Sequence, residues 1–366
     1  MMTRIGVIGA GEVGRLRVRT VLDSPQTELA GVADSDAAAA DRAVAGTGAK
    51  AWTDYRRLLD EARLDAVIVS TPTHLHEAMV TAALEAGKHV LCEKPLAPSL
   101  DVCHRLWSLS RRQQRALAVG FNHRYWPSVK FLKQVLADGR IGTIDHLRVY
   151  GAHDGLHNFR GDWMYKRPAS GGGAMMDVGI HMTDLARYIG GEIVEVYGIA
   201  RSGIWHVDGS EDHAAAIFKT ETGVPIIYQT AWTEWRGYQW YVDVYGDRGM
   251  VRAYYAPMFN MLITQDRPGG SRRRSYKLYP EIIVREKLKG WQSTTRLAFA
   301  DELNDFLGMI AGNAVTLADG WAGCRAVEIA AAVYESTVTG EPVRLVSPDA
   351  VSDGPASTPH ASRQLQ

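Results

Sequence analysis

The 366-residue chain is predicted to be an α/β protein of two domains: an N-terminal doubly wound parallel sheet, then a mostly antiparallel sheet. Three observations predict this. The length exceeds the usual single-domain range. In the first third, short apolar runs alternate with stretches of helical length, the rhythm of a parallel sheet with helices on both faces. After about Phe121, apolar strands follow one another with turn residues between them, which marks antiparallel pairing.

In order, Ile5–Ile8, Leu29–Ala33, Ala66–Ser70, His89–Cys92 and Ala116–Phe121 read as strands. Between them Glu12–Leu22, Ala37–Ala45, Asp54–Ala62, His74–Ala86 and Leu100–Gln113 read as helices. A helix is expected over Ser128–Ala137, then strands over Ile144–Tyr150, Ile193–Ala200, Ala214–Lys219, Ile226–Ala231, Trp240–Tyr245 and Met250–Tyr255. Thr222-Gly223 and Asp247-Arg248-Gly249 supply hairpin turns. Two closing helices are expected, Leu297–Ala311 and Gly320–Thr339, with Gly340 as C-terminal cap of the second. The domains are placed at 1–122 and 123–346, and the Ser/Pro/Gly/Ala-rich tail 347–366 reads as disordered.

Lys plus Arg and Asp plus Glu are each 41, so no net field points to nucleic acid or to an anionic membrane. Arg272-Arg273-Arg274 is a tight basic run without an aromatic platform and reads as a solvated loop. Cys92, Cys103 and Cys324 have neither metal-ligand spacing nor a disulfide framework, which fits a reducing cytoplasm. The apolar run Ile5–Gly9 is too short for a signal-peptide core, and no stretch approaches the ~20 apolar residues of a membrane span. A cytoplasmic protein is expected, with no nucleic-acid partner, no membrane partner and no metal.

Two stretches carry the chemistry. "GAGEVG" places G-x-G-x-x-G directly after the first strand, with Gly9, Gly11, Glu12, Val13 and Gly14 as candidate cofactor-binding residues. The glycines permit a tight turn, close approach of a pyrophosphate and close helix–strand packing, and the helix N-terminus attracts phosphates. Asp34 ends the second strand twenty residues after Gly14, where an acid binds a ribose diol. Its carboxylate repels a 2′-phosphate, and Ser35 follows it in place of an arginine, so NAD is expected over NADP.

The second stretch is "HVLCEKPLA", where Glu93-Lys94-Pro95 interrupts the end of an apolar strand. A Lys-Pro bond adopts cis at modest cost, and a cis bond here turns the amine toward the ligand-bearing rim. Far away, Asp177, His181 and Asp184 are spaced i, i+4, i+7 and would share one helix face after a triple glycine. Trp163 and Tyr165 lie in the loop leading to that helix and offer aromatic faces to a bound ring, and Arg124 and Asp184 are polar candidates for substrate contacts.

These motifs resemble the Gfo/Idh/MocA oxidoreductases, over about residues 3–346. The resemblance rests on Gly9–Gly14, "STPTHLH" (Ser70–His76), "EKP", "GFNHRY" (Gly120–Tyr125) and the Asp177/His181 pair; Thr73 departs from the asparagine common at its position. It implies a Rossmann domain followed by an α/β domain on a large open sheet. It further implies that Lys94, Asp177 and His181 are the catalytic group, and that Thr71, Pro72, His76 and Glu93 line the nicotinamide half of the cofactor.

The function expected is NAD-dependent oxidation of a ring hydroxyl on a sugar, cyclitol or glycoside, with Lys94 and His181 transferring the proton. The alternative is an NAD-dependent glycosidase using transient C3 oxidation and elimination. A dinucleotide sensor has no need of the proton-transfer set. The aromatic, β-branched second sheet has too few helices to cover both faces, so a homodimer or homotetramer is expected.

Overall fold

The computed structural model describes residues 2–155, 161–267 and 269–345; the tail read as disordered lies outside them. The chain divides into two compact units. One runs to Pro127 and includes Pro280–Val327; the other is Ser128–Tyr279 with the residues from Glu328.

The first unit begins β1 (Thr3–Ile8), α1 (Glu12–Asp23), β2 (Thr27–Ala33), α2 (Ala37–Val44), β3 (Lys50–Trp52), α3 (Tyr55–Glu61) and β4 (Ala66–Val69). It continues α4 (His76–Glu85), β5 (His89–Cys92), α5 (Leu100–Gln113) and β6 (Leu117–Val119). Its strands pair in parallel in the order β3-β2-β1-β4-β5-β6. This is the doubly wound dinucleotide-binding order, with its switch point between β1 and β4. β4 and β6 are buried throughout, because helices cover both faces; that is why they read as unbroken apolar runs. β3 is the strand of this unit that the sequence reading omits. It is a three-residue edge, too short to show a pattern.

The chain then forms α6 (Pro127–Ala137), β7 (Ile144–Ala152), α7 (Arg167–Ser170), α8 (Gly179–Gly190), β8 (Ile193–Arg201), β9 (His213–Thr220) and β10 (Pro225–Ala231). β11 (Gln239–Gly246), β12 (Gly249–Tyr255), β13 (Phe259–Thr264) and β14 (Arg273–Leu278) follow. Three helices and a short strand end it: α9 (Pro280–Lys289), α10 (Gln292–Ile310), α11 (Gly320–Thr339) and β15 (Val343–Arg344). The second sheet has the order β14-β13-β12-β11-β7-β10-β9-β8-β15, and among its described pairs only β7–β10 is parallel. In this unit the sequence reading also omits β13, β14 and β15.

Three differences from the sequence reading have physical reasons. Arg273 and Arg274 belong to β14 rather than to a loop. That strand is exposed along its whole length, so no alternation announces it. Among the described residues three helices, not two, follow β14. And 280–327 belongs with the first unit although the reading draws one boundary at 122/123: Ala298, Phe299, Leu303 and Phe306 make α10 amphipathic, and it packs on α1 and on the turn Asn122–Tyr125.

In the second sheet, β9 alternates cleanly. Ala214, Ala216, Phe218 and Thr220 are buried while Ala215, Ile217 and Lys219 are exposed. On the exposed face Tyr197, Ile217 and Ile227 lie opposite one another in register. The same row continues through Arg148, Asp243 and Arg252.

Candidate active site

The glycine turn of the first unit is steric in origin. Gly9 has φ +99°, and a Cβ on it would lie 2.5 Å from the Ser70 carbonyl oxygen. A Cβ on Gly14 would lie 1.9 Å from the Gly9 oxygen, so α1 rests directly on the end of β1. At Gly11 a Cβ would meet nothing within 4 Å, and this residue caps α1 with no side-chain hydrogen bond. Open space beside the first turn of α1, Glu12, Val13 and Gly14, suits a pyrophosphate. The Asp34 carboxylate lies against the same turn, accepting from the Ala10 amide at 2.6 Å and the Asp36 amide at 2.9 Å. Ser35 beside it is exposed. These residues fit a dinucleotide: a phosphate cradle with an acid fixed next to it.

The loops after β4 and β5 are tied together by His76, which is fully buried. Its Nε2 lies 2.9 Å from Thr71 O, and its Nδ1 lies 3.0 Å from Pro95 O and 3.2 Å from Leu96 O. Burial pushes the His76 pKa down, against the pull of those carbonyls. Thr71 donates its hydroxyl to Met79 Sδ, and Thr71 and Pro72 are half-buried. The Lys94–Pro95 peptide is cis, and Lys94 is half-buried. His123 senses that lysine: burial first, then the Lys94 charge, push its pKa down to about 3. Arg124 is buried and donates to Thr316 O at 2.9 Å.

Glu93 is held from inside the fold. Arg17 Nε donates to Glu93 Oε1 at 2.7 Å, and Arg17 Nη1 lies 2.6 Å from Glu302 Oε2. Glu302 is wholly buried; burial, then the competing charge of Glu93, outweighs Arg17 and pushes its pKa up to about 7.

In the second unit, Asp177 lies in the turn just before α8, not on the helix as the i, i+4, i+7 spacing suggests; α8 carries His181 and Asp184. The Asp177 carboxylate receives two N–H donors on one oxygen, His153 Nε2 at 2.8 Å and Trp232 Nε1 at 3.2 Å. The His153 tautomer follows from its other side. The Gly155 amide donates to Nδ1 at 3.1 Å, so Nε2 carries the hydrogen. Glu211 holds the loop that presents Asp177, accepting the Gly173 amide at 2.9 Å and the Met175 amide at 2.7 Å. His181 is buried at 7 % exposure, and Asp184 is buried at 1 %. Trp163 and Tyr165 are half-buried on the turn Asp162–Tyr165, and burial followed by the charges of Asp162 and Asp177 raises the Tyr165 pKa. Among the described residues no group of three or more His, Cys, Asp or Glu is arranged to hold a metal ion, and no helix is long and apolar enough to cross a membrane.

The fold and these two clusters define an NAD-binding oxidoreductase. Residues 3–121 match the family described as "Oxidoreductase family, NAD-binding Rossmann fold", and residues 129–252 match its "GFO/IDH/MocA C-terminal domain". The chain is 30% identical over 93% of its length to an uncharacterized oxidoreductase, YrbE, of Bacillus subtilis, covering 96% of that protein. It is 30% identical, again over 93%, to inositol 2-dehydrogenase 2 of Saccharopolyspora erythraea, covering 94% of it. Its fold is similar to levoglucosan dehydrogenase solved with NADH and levoglucosan, at TM-score 0.83 and 22% identity, covering 94% of this chain and 99% of that one. The chain belongs to the Gfo/Idh/MocA oxidoreductase family.

The sequence reading misses Arg17, Glu302, His153 and Glu211. For the first two a signal exists: each is a charge inside the apolar stripe of its helix, between Gly14 and Val21 on α1 and between Phe299 and Phe306 on α10. His153 and Glu211 have no local signal, because their partners lie 24 and 36 or more residues away.

Two outcomes follow for the first unit. Gly11→Ala keeps the wild-type Tm but weakens NADH binding at least about tenfold, since the new methyl group takes phosphate space. Gly14→Ala instead costs about 1–3 kcal/mol of stability, because backbone must move; melting curves and NADH fluorescence titration check both. The raised Glu302 pKa gives a pH dependence. A carboxyl whose folded pKa exceeds its ordinary 4.5 stabilises most below that value and loses the contribution as pH rises through about 7. The Tm of wild type relative to Glu302→Gln therefore falls between pH 5 and pH 8, and a difference that stays constant across that window contradicts the assignment.

Proposed function

We propose that the protein oxidises a secondary ring hydroxyl of a sugar, cyclitol or glycoside with NAD⁺, or runs the reverse reduction. The observation that carries this reading is the Asp177 carboxylate, held by two N–H donors four residues before His181. The inositol and levoglucosan dehydrogenases above support it, since the substrates in their names are polyhydroxylated rings.

Bound NAD⁺ supplies the hydride acceptor. Lys94 holds the substrate oxygen or relays its proton, and His181 is the general base, an imidazole whose ordinary pKa suits the task near neutrality. Asp177 orients His181 and stabilises its charged form. Gly9, Gly11, Glu12, Val13 and Gly14 take the pyrophosphate, and Asp34 with Ser35 takes the adenosine ribose and disfavours a 2′-phosphate. Thr71, Pro72, His76 and Glu93 line the nicotinamide half. Trp163 and Tyr165 offer aromatic faces to the ring. Three buried thiols, Cys92, Cys103 and Cys324, suit a reducing cytoplasm.

The exposed row Tyr197, Ile217 and Ile227, with Ile199 beside it, leaves an apolar sheet face for a second copy of the chain, giving a homodimer or homotetramer. Light scattering at micromolar concentration should show two or four copies, and a monomer overturns this.

A panel of sugars, inositols and glycosides should contain a compound that drives sustained NADH formation, with NAD⁺ preferred over NADP⁺. Sugar release without NADH accumulation marks the glycosidase chemistry instead. On the best substrate, Lys94→Ala and His181→Ala should each lower kcat at least ~100-fold, the low end for positioned proton transfer. NADH binding should persist, and the double variant should lose much less than the product of the two effects. A Lys94→Ala enzyme retaining half its turnover removes Lys94 from the mechanism.

A further inference from the structure

The arrangement around Arg17 is hard to explain as a source of stability. Its guanidinium is 1 % exposed, stacks 3.5 Å over the Phe299 ring and is shared between two carboxylates, Glu93 and Glu302. Glu302 is fully buried, and its Oε1 has no hydrogen-bond partner among the described residues. Burying one cation between two acids costs more desolvation than the pairing returns, and apolar side chains of the same volume would pack there at least as well. The charged groups facing Glu302 are Arg17 on α1, Glu93 after β5 and Arg124 on the turn after β6, with the Tyr125 phenol beside them. A Cβ on Gly120, just past β6, would come within 2.9 Å of Arg17 Nη2 and 3.0 Å of Glu93 Oε2, so the cluster sits at the carboxyl ends of β5 and β6.

We propose that Arg17 and Glu302 are positioning residues for the nicotinamide side of the cofactor site: Glu302 and Phe299 hold the guanidinium, and the guanidinium fixes Glu93 on the strand rim. This rests on the reading that Glu93 lines the nicotinamide half. The fork is what matters. Arg17 reaches Glu93 through Nε and Nη2 and Glu302 through Nη1, three contacts that a lysine ammonium cannot reproduce from one point. Arg17 lies on the helix that also bears the phosphate-binding amides, but on its buried side. A change there can therefore leave phosphate binding alone and still release the rim.

The test compares two ligands by titration calorimetry. ADP-ribose reports the phosphate and adenosine contacts; NADH adds the nicotinamide. Arg17→Lys should bind ADP-ribose within about twofold of wild type and bind NADH about tenfold more weakly, the loss expected for a charged hydrogen bond. The double variant Arg17→Met/Glu302→Met removes the buried charges at conserved volume. It should show the same split with a wild-type Tm, which a merely structural role does not produce. Glu93→Gln serves as the control on the underlying reading. If Glu93→Gln leaves the ADP-ribose to NADH ratio unchanged, the placement of Glu93 at the nicotinamide fails and this proposal with it. If Glu93→Gln moves the ratio and Arg17→Lys does not, the proposal alone fails. Equal weakening of both ligands in Arg17→Lys also overturns it, since the effect then lies in the glycine turn.

Discussion

The chemistry of the first unit depends on one close approach, the backbone of α1 at Gly14 resting against the Gly9 carbonyl. With no side chain between them, the helix begins where β1 ends, and its first turn lies beside the open space at Gly11. The same seating fixes the helix rotation. Gly14, Arg17, Val18 and Val21 fall on the buried side, which carries a guanidinium into the core three residues after the last glycine of the turn. From there Arg17 reaches the acid that stands next to Lys94. A steric contact between two glycines thus organises both the start of α1 and the rim where the lysine stands.

The second unit solves a similar problem with the opposite charge. The loop before α8 is held by the buried Glu211 carboxylate through the Gly173 and Met175 amides, and a Cβ on Gly173 would lie 1.8 Å from the Glu211 main-chain carbonyl oxygen. Asp177, two residues after Met175, is then fixed by His153 and Trp232 from the ends of β7 and β10. These two strands are the parallel neighbours of an otherwise antiparallel sheet, so both run out on the same edge and deliver their donors together. In the first unit a buried ion holds a side chain on the strand rim, and in the second a buried ion holds the main chain of the loop before α8. Such ions are poor sources of stability, which is consistent with their retention for geometry.

Much of the first unit was legible because its signals are local. Strand–helix alternation, the glycine spacing and the acid at the end of β2 all lie within the first 34 residues or repeat at a fixed rhythm. β14 was not legible, since an exposed strand of Arg, Ser, Tyr and Lys has no buried face to impose period two. The helical reading of Asp177 misses by two residues because spacing alone does not show where a helix starts; the glycine loop clamped by Glu211 delays the start to Gly179.

The sequence by itself determined the strand–helix alternation of the first unit, the glycine turn after β1 and the side-chain chemistry available at Lys94, Asp177 and His181. Each is a matter of neighbours along the chain or of side-chain chemistry. Tertiary structure alone decided which groups hold them. Glu302 meets Arg17 across 285 residues and Glu93 meets it across 76, while Asp177 finds Trp232 across 55. Such pairings leave no mark on local pattern. They form because burial excludes water, and each charge or N–H taken into the interior must then find its partner wherever the fold brings one.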